Sequence, residues 1–198
     1  MFGNDSNSGF GATFNVGGSA NPIPPIATTN YGLYAQTQNS TPITATTSEL
    51  SLIGVGVGTL SVPANSFSVG DSFTAKLYGH LTCVGSATIE IRVKSNSVIL
   101  ADTGIIALDT TTNKHWCVEV NFTIREIGGV GIASIVSGGL FSYIKNAGVN
   151  FEGTNFSIIN NLTFDTTILN TLDITSKWNT TNVGNTIYSE FFVLNKIY

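Results

Sequence analysis

The segment SFTAKLYGHLTC, residues 72–83, alternates side-chain character along most of its length, with Phe73, Ala75, Leu77 and Leu81 on one side and Thr74, Lys76, Tyr78 and His80 on the other. Successive side chains of a β-strand point to opposite faces, so this period of two demands a strand with one dry face and one wet face. The pattern recurs in ATIEIRVK (87–94), where Ile89, Ile91 and Val93 oppose Glu90, Arg92 and Lys94. It recurs again in HWCVEVNFTIRE (115–126), where Trp116, Val118, Val120, Phe122 and Ile124 oppose Cys117, Glu119, Asn121, Thr123 and Arg125. NTLDITSKW (170–178) sets Leu172, Ile174 and Trp178 against Asp173, Thr175 and Lys177. Half-wet strands of this kind pair antiparallel and cover a single core with one face.

From residue 46 onward turn signals recur about every ten residues, which gives about eight to ten strands. The fold expected is all-β: a two-sheet antiparallel jelly-roll sandwich over residues 46–198, preceded by a Gly/Asn/Pro-rich arm and lead-in over residues 1–45. An immunoglobulin-like sandwich fits less well, because Cys83 and Cys117 do not bracket a central tryptophan. In GTLSVPANSFSVGDSF (58–73), Pro63 lacks a backbone donor and ends strand pairing, Ala64-Asn65 turns the chain, and Phe67 and Val69 return to the core before a second turn at Gly70-Asp71.

Two segments depart from simple alternation. GVGIASIVSGGLF (129–141) and TIYSEFFVLNK (186–196) carry apolar groups on both faces, which a strand wet on one side does not normally do. Such strands either lie between packed layers or meet another subunit, and Ile132, Ile135, Phe141, Tyr143, Tyr188, Phe191 and Phe192 are the candidate interface. Residues 1–30 hold few large apolar side chains and end in NPIPPIATTN. Such a segment cannot offset its own ordering entropy, so the expectation is a flexible arm ordered by a neighbour. Its candidate docking residues are Phe2, Phe10, Phe14, Pro22, Pro24 and Pro25.

Candidate chemistry is sparse. Asp, Glu, Lys and Arg make up 10% of the 198 residues and the net charge is −4, which offers no electrostatic attraction to nucleic acid or to an anionic membrane. The stretch MFGNDSNSGFGATF lacks the basic and apolar regions of a secretory signal, so synthesis in a cytoplasm is expected. The chain's six Asn-X-Ser/Thr triplets are then expected to stay unmodified.

His80 and His115 fall at outward strand positions without the spacing of a metal motif, so neither metal nor cofactor is expected. Were they neighbours across strands, some pH sensitivity would follow. No nucleophile elbow is present, and Asp102 and Asp109 read as turn formers that accept nearby backbone N–H groups. The chain is expected not to be an enzyme. Cys83 and Cys117 are expected to be free thiols, and the tyrosines Tyr31, Tyr34, Tyr78, Tyr143, Tyr188 and Tyr198 to serve an interface or to stack on glycans.

YAQTQNSTPI, GTLSVPANSFSVGDSF, GGLFSYIKNAGVNFEG and NTLDITSKWNTTNVGNTIYSEFFVL together resemble the β-sandwich virion surface proteins of tailed bacteriophages and large aquatic DNA viruses. The likeness covers residues 31–198. It implies a jelly roll carried on a virion as a capsid decoration or cement protein, or as a minor capsid component such as a penton or fibre head. It also implies a symmetric oligomer, with a homotrimer favoured, in contact with a major capsid protein, and supplies no catalytic residues. The alternative it implies is a receptor- or glycan-binding head of a tail or capsid fibre, with SGGLFSYIKNAG (137–148) and WNTTNVGN (178–185) as exposed loops.

Overall fold

A computed structural model describes residues 31–85, 87–145, 151–158 and 163–198. Among these the regular structure is strand throughout. In chain order the strands are β1 (Tyr31–Gln36), β2 (Ile43–Thr44), β3 (Leu50–Ser51), β4 (Gly56–Gly58), β5 (Ser61–Val62), β6 (Ser72–Cys83), β7 (Thr88–Ser95), β8 (Val98–Asp102), β9 (Ile106–Ala107), β10 (Thr111–Glu126), β11 (Ser134–Ile144), β12 (Phe151–Asn155), β13 (Ser157–Ile158), β14 (Asn170–Trp178) and β15 (Thr186–Lys196). They form a sandwich of two antiparallel sheets. The larger runs β12-β11-β10-β6-β15-β1-β4 with β2 also on β15, and the smaller runs β13-β8-β7-β14-β3 with β5 on β14 and β9 on β7. β1 and β2, from the stretch read as lead-in, are thus strands of the larger sheet.

The inward sets form the core. Ala75, Leu77, Val118, Val120, Ile91, Val93 and Ile174 are completely buried, and Phe73, Leu81, Ile89, Trp116 and Trp178 nearly so. Removing such side chains from water is the main favourable contribution to folding, about 1.5–3 kcal/mol for each large one. The layers are also tied by hydrogen bonds that cross between them. Trp178 Nε1 donates to the Ile43 carbonyl at 3.0 Å, Ser189 Oγ donates to the Leu52 carbonyl at 2.5 Å, and Ser137 Oγ donates to the Leu100 carbonyl.

The elbow after β5 turns at Ala64-Asn65, where Asn65 holds a left-handed φ of 60°. Asn tolerates that region better than most residues. Phe67 packs edge-on against Phe73 and Phe164, but Val69 is 61% exposed. The second turn falls on Val69-Gly70, one residue earlier than the sequence suggests, with Gly70 at φ 94°. Val69 therefore sits on the turn and cannot reach the core.

Candidate interaction surface

The outer face of the larger sheet is built in rows by its register. His115 of β10 pairs with His80 of β6, which pairs with Tyr188 of β15; the next row is Ser142, Cys117, Tyr78 and Phe191. The row after that is Leu140, Glu119, Lys76, Val193, Ala35 and Val57, reaching from β11 to β4. The face is therefore mixed: a polar middle flanked by apolar side chains. Phe191, Leu140 and Val57 are 45%, 41% and 63% exposed.

Tyr78 anchors the middle row. Its ring meets Phe191 edge-on with centroids 5.5 Å apart, and its hydroxyl donates to Glu119 Oε1 at 2.7 Å, while Lys76 Nζ lies 3.4 Å from the same oxygen. The hydrogen bond to Glu119, together with burial, pushes the Tyr78 hydroxyl up to about 12. The same bond, helped by Lys76, holds the Glu119 carboxyl below the usual carboxylate range. The two histidines are neighbours, with ring centroids 4.1 Å apart. Tyr188 stacks on His80, and Glu190 Oε2 lies 3.0 Å from His80 Nδ1, at ion-pair distance but out of line for a hydrogen bond.

A bulge explains the two-faced reading of β15. Glu190 is an extra residue between Ser189 and Phe191, opposite Gly79 and Tyr78 of β6. Before it Ile187 and Ser189 face inward, after it Phe192 and Leu194 do, and all four are buried. The insertion shifts the alternation by one residue, and Phe191 is turned out to solvent as a result. Gly79 is part of the same device, since a Cβ there would collide with the Tyr188 carbonyl oxygen. The strands approach there to a distance only glycine permits.

The candidate interface residues accordingly divide. Ile135, Phe141, Tyr143 and Phe192 are buried within the chain's own core, where no partner reaches them. Phe191 is on the outer face, Tyr188 is half-buried beside it, and Ile132 is exposed in the turn before β11. Leu140 and Val57 complete the surface and were not singled out from sequence. Leu140 could have been, as it lies out of phase with Phe141; Val57 could not, because its place beside Ala35 and Val193 depends on a pairing remote in sequence. The docking residues Phe2, Phe10, Phe14, Pro22, Pro24 and Pro25 lie outside the described residues.

The loops read as glycan-facing also divide, since residues 137–144 lie in β11, paired on both sides, while 179–185 connect β14 to β15. Cys83 and Cys117 are free; burial raises the Cys83 thiol, which donates to the Asp109 carbonyl.

The outer face of the smaller sheet is charged instead. Arg92 reaches Glu49 at 2.9 Å, Glu90 at 2.6 Å and Asp102 at 3.0 Å, while Lys94 pairs with Glu49 and Lys177 with Glu90. Asp102 also accepts from the Gly104 N–H, as a turn former does. Asp109 instead pairs with Lys145 at 2.7 Å. Three carboxylates thus converge on one guanidinium, whose planar fork of donors suits them. No protein-family model matches the chain, and no curated protein matches it.

Proposed function

We propose that this chain is a structural protein of a virion surface, a capsid decoration or minor capsid component, that assembles with copies of itself through the outer face of the larger sheet. The observation that carries the assembly is the solvent-exposed position of Phe191, backed by Tyr78, with Leu140 and Val57 flanking it on the same face. Aromatic anchors amid polar groups are the usual anatomy of a protein interface. The virion reading itself is supported by the resemblance of residues 31–198 to β-sandwich virion proteins. A jelly-roll topology fits the neighbouring of β1 with β15, which brings the first and last described strands together in one sheet.

Self-association is tested by sedimentation over a range of concentrations. The full chain is expected to form one closed oligomer, a trimer in this reading. Phe191→Lys is expected to shift it to monomer with an unchanged far-UV spectrum, while Val183→Lys in the exposed β14–β15 connection leaves it intact. A wild-type chain that remains monomeric at the highest concentration would remove the assembly reading. The arm has a separate test: deletion of residues 1–30 is expected to leave the oligomer intact and to abolish its incorporation into particles, and normal incorporation would end the docking role.

A further inference from the structure

A second surface feature lies on the opposite side of the sandwich, at one end of the smaller sheet. There a cleft of about 260 Å³ is bounded by Thr47, by Thr88 and Glu90 of β7, by Ile105 of the β8–β9 connection, and by Lys177 and Asn179 at the end of β14. We infer that this cleft is a binding site for a single neutral sugar ring.

The polar lining is fixed and presents donors. Asn179 Oδ1 accepts from the Thr88 N–H at 2.9 Å, and the Asn179 N–H donates back to the Thr88 carbonyl at 3.1 Å. This reciprocal pair sets the amide orientation without ambiguity, because only the oxygen can accept from a backbone N–H. Among the described residues the two Nδ2 hydrogens have no acceptor and are left to donate. Lys177 spends one of its three hydrogens on Glu90 Oε2 at 2.6 Å and, among the described residues, keeps two. Glu90 is held from its other oxygen by Arg92, so it orients the ammonium. The hydroxyls of Thr47 and Thr88 add groups that both donate and accept.

The charge and the walls narrow the class. Glu49, Glu90 and Asp102 are balanced by Arg92, Lys94 and Lys177 within the same network, so the cleft offers little net attraction to an anion. Ile105, 76% exposed, forms an apolar wall beside these polar groups. Trp178 is 1% exposed and cannot stack. Directed donors beside one aliphatic wall match a ring with hydroxyls at its rim and C–H groups on its face.

The test is amide-resolved NMR titration of the full chain with methyl α-glucopyranoside, methyl β-galactopyranoside and N-acetylglucosamine, with N-acetylneuraminic acid as the anionic arm. A neutral sugar is expected to move the Thr88, Glu90 and Asn179 amides saturably. Lys177→Met is expected to weaken it about tenfold, the loss of one charged hydrogen bond. Ile105→Asp, on an exposed side chain, keeps the test valid if Lys177→Met unfolds, and is expected to abolish the shifts while the rest of the spectrum is retained. Absence of saturable shifts with every neutral sugar overturns the inference. So does tighter binding of N-acetylneuraminic acid, or binding that survives Ile105→Asp.

Discussion

Replacement of Arg92 by alanine is expected to destabilise the protein by about 3 kcal/mol at neutral pH, with most of that loss recovered in acid. Arg92 is 23% exposed and holds Glu49, Glu90 and Asp102 together. Without it three carboxylates face one another with only Lys94 and Lys177, among the described residues, to answer them, and protonation becomes the way to relieve the repulsion. The destabilisation should therefore shrink as pH falls through the carboxylate range.

The wild type is expected to behave in the opposite sense. Burial raises the Glu49 carboxyl, but hydrogen bonds from Thr175, Lys94 and Arg92 outweigh it and bring the group down from 4.5 to about 2. A carboxyl lowered on folding contributes stability above its unfolded value and loses it as pH falls toward the folded one. The window is therefore pH 4.5 to 2, and the amount, discounted for its partial exposure, is about 2 kcal/mol. Urea midpoints of wild type, Arg92→Ala and Glu49→Gln across that range check both signs. A pH-independent difference between wild type and Arg92→Ala would show that the network contributes only packing.

The second large effect separates the two tryptophans. Both are buried, Trp116 at 2% and Trp178 at 1% exposure, yet Trp178 donates to Ile43 across the layers while Trp116 Nε1 has no partner among the described residues. Phenylalanine at Trp178 removes the cross-layer donor and leaves a smaller ring in the core, at an expected cost of about 3 kcal/mol. Phenylalanine at Trp116 also leaves a void but discards an unsatisfied N–H, so about 1–2 kcal/mol is expected. Each variant keeps the other indole as its fluorescence probe, and chemical unfolding of the pair gives the comparison directly. Equal losses would mean that the cross-layer bond carries no net weight.

Much of the core was legible because a strand converts sequence parity directly into facing. The inward assignments of Phe73, Ala75, Leu77, Leu81, Ile89, Ile91, Val93, Trp116, Val118, Val120, Leu172 and Ile174 all correspond to buried side chains. Parity fails wherever the strand itself is irregular. Glu190 inserts one residue and swaps the faces of the residues after it, so Phe191 and Phe192 both looked like interface residues when one is core and one is surface. Val69 failed for a related reason, since the turn began one residue early and took it out of phase.

The architecture is written in the chain itself: alternation, turns and the low charge require two half-wet antiparallel sheets around one core, because facing is a local property of each residue. Which outward side chains meet is settled only by folding. His80 sits beside His115, Phe191 beside Tyr78, and Glu49 beside Arg92 through pairings between strands or segments remote in the chain. Those neighbours depend on register, and register is set by bulges and by the whole sheet's packing, which no single stretch of sequence encodes.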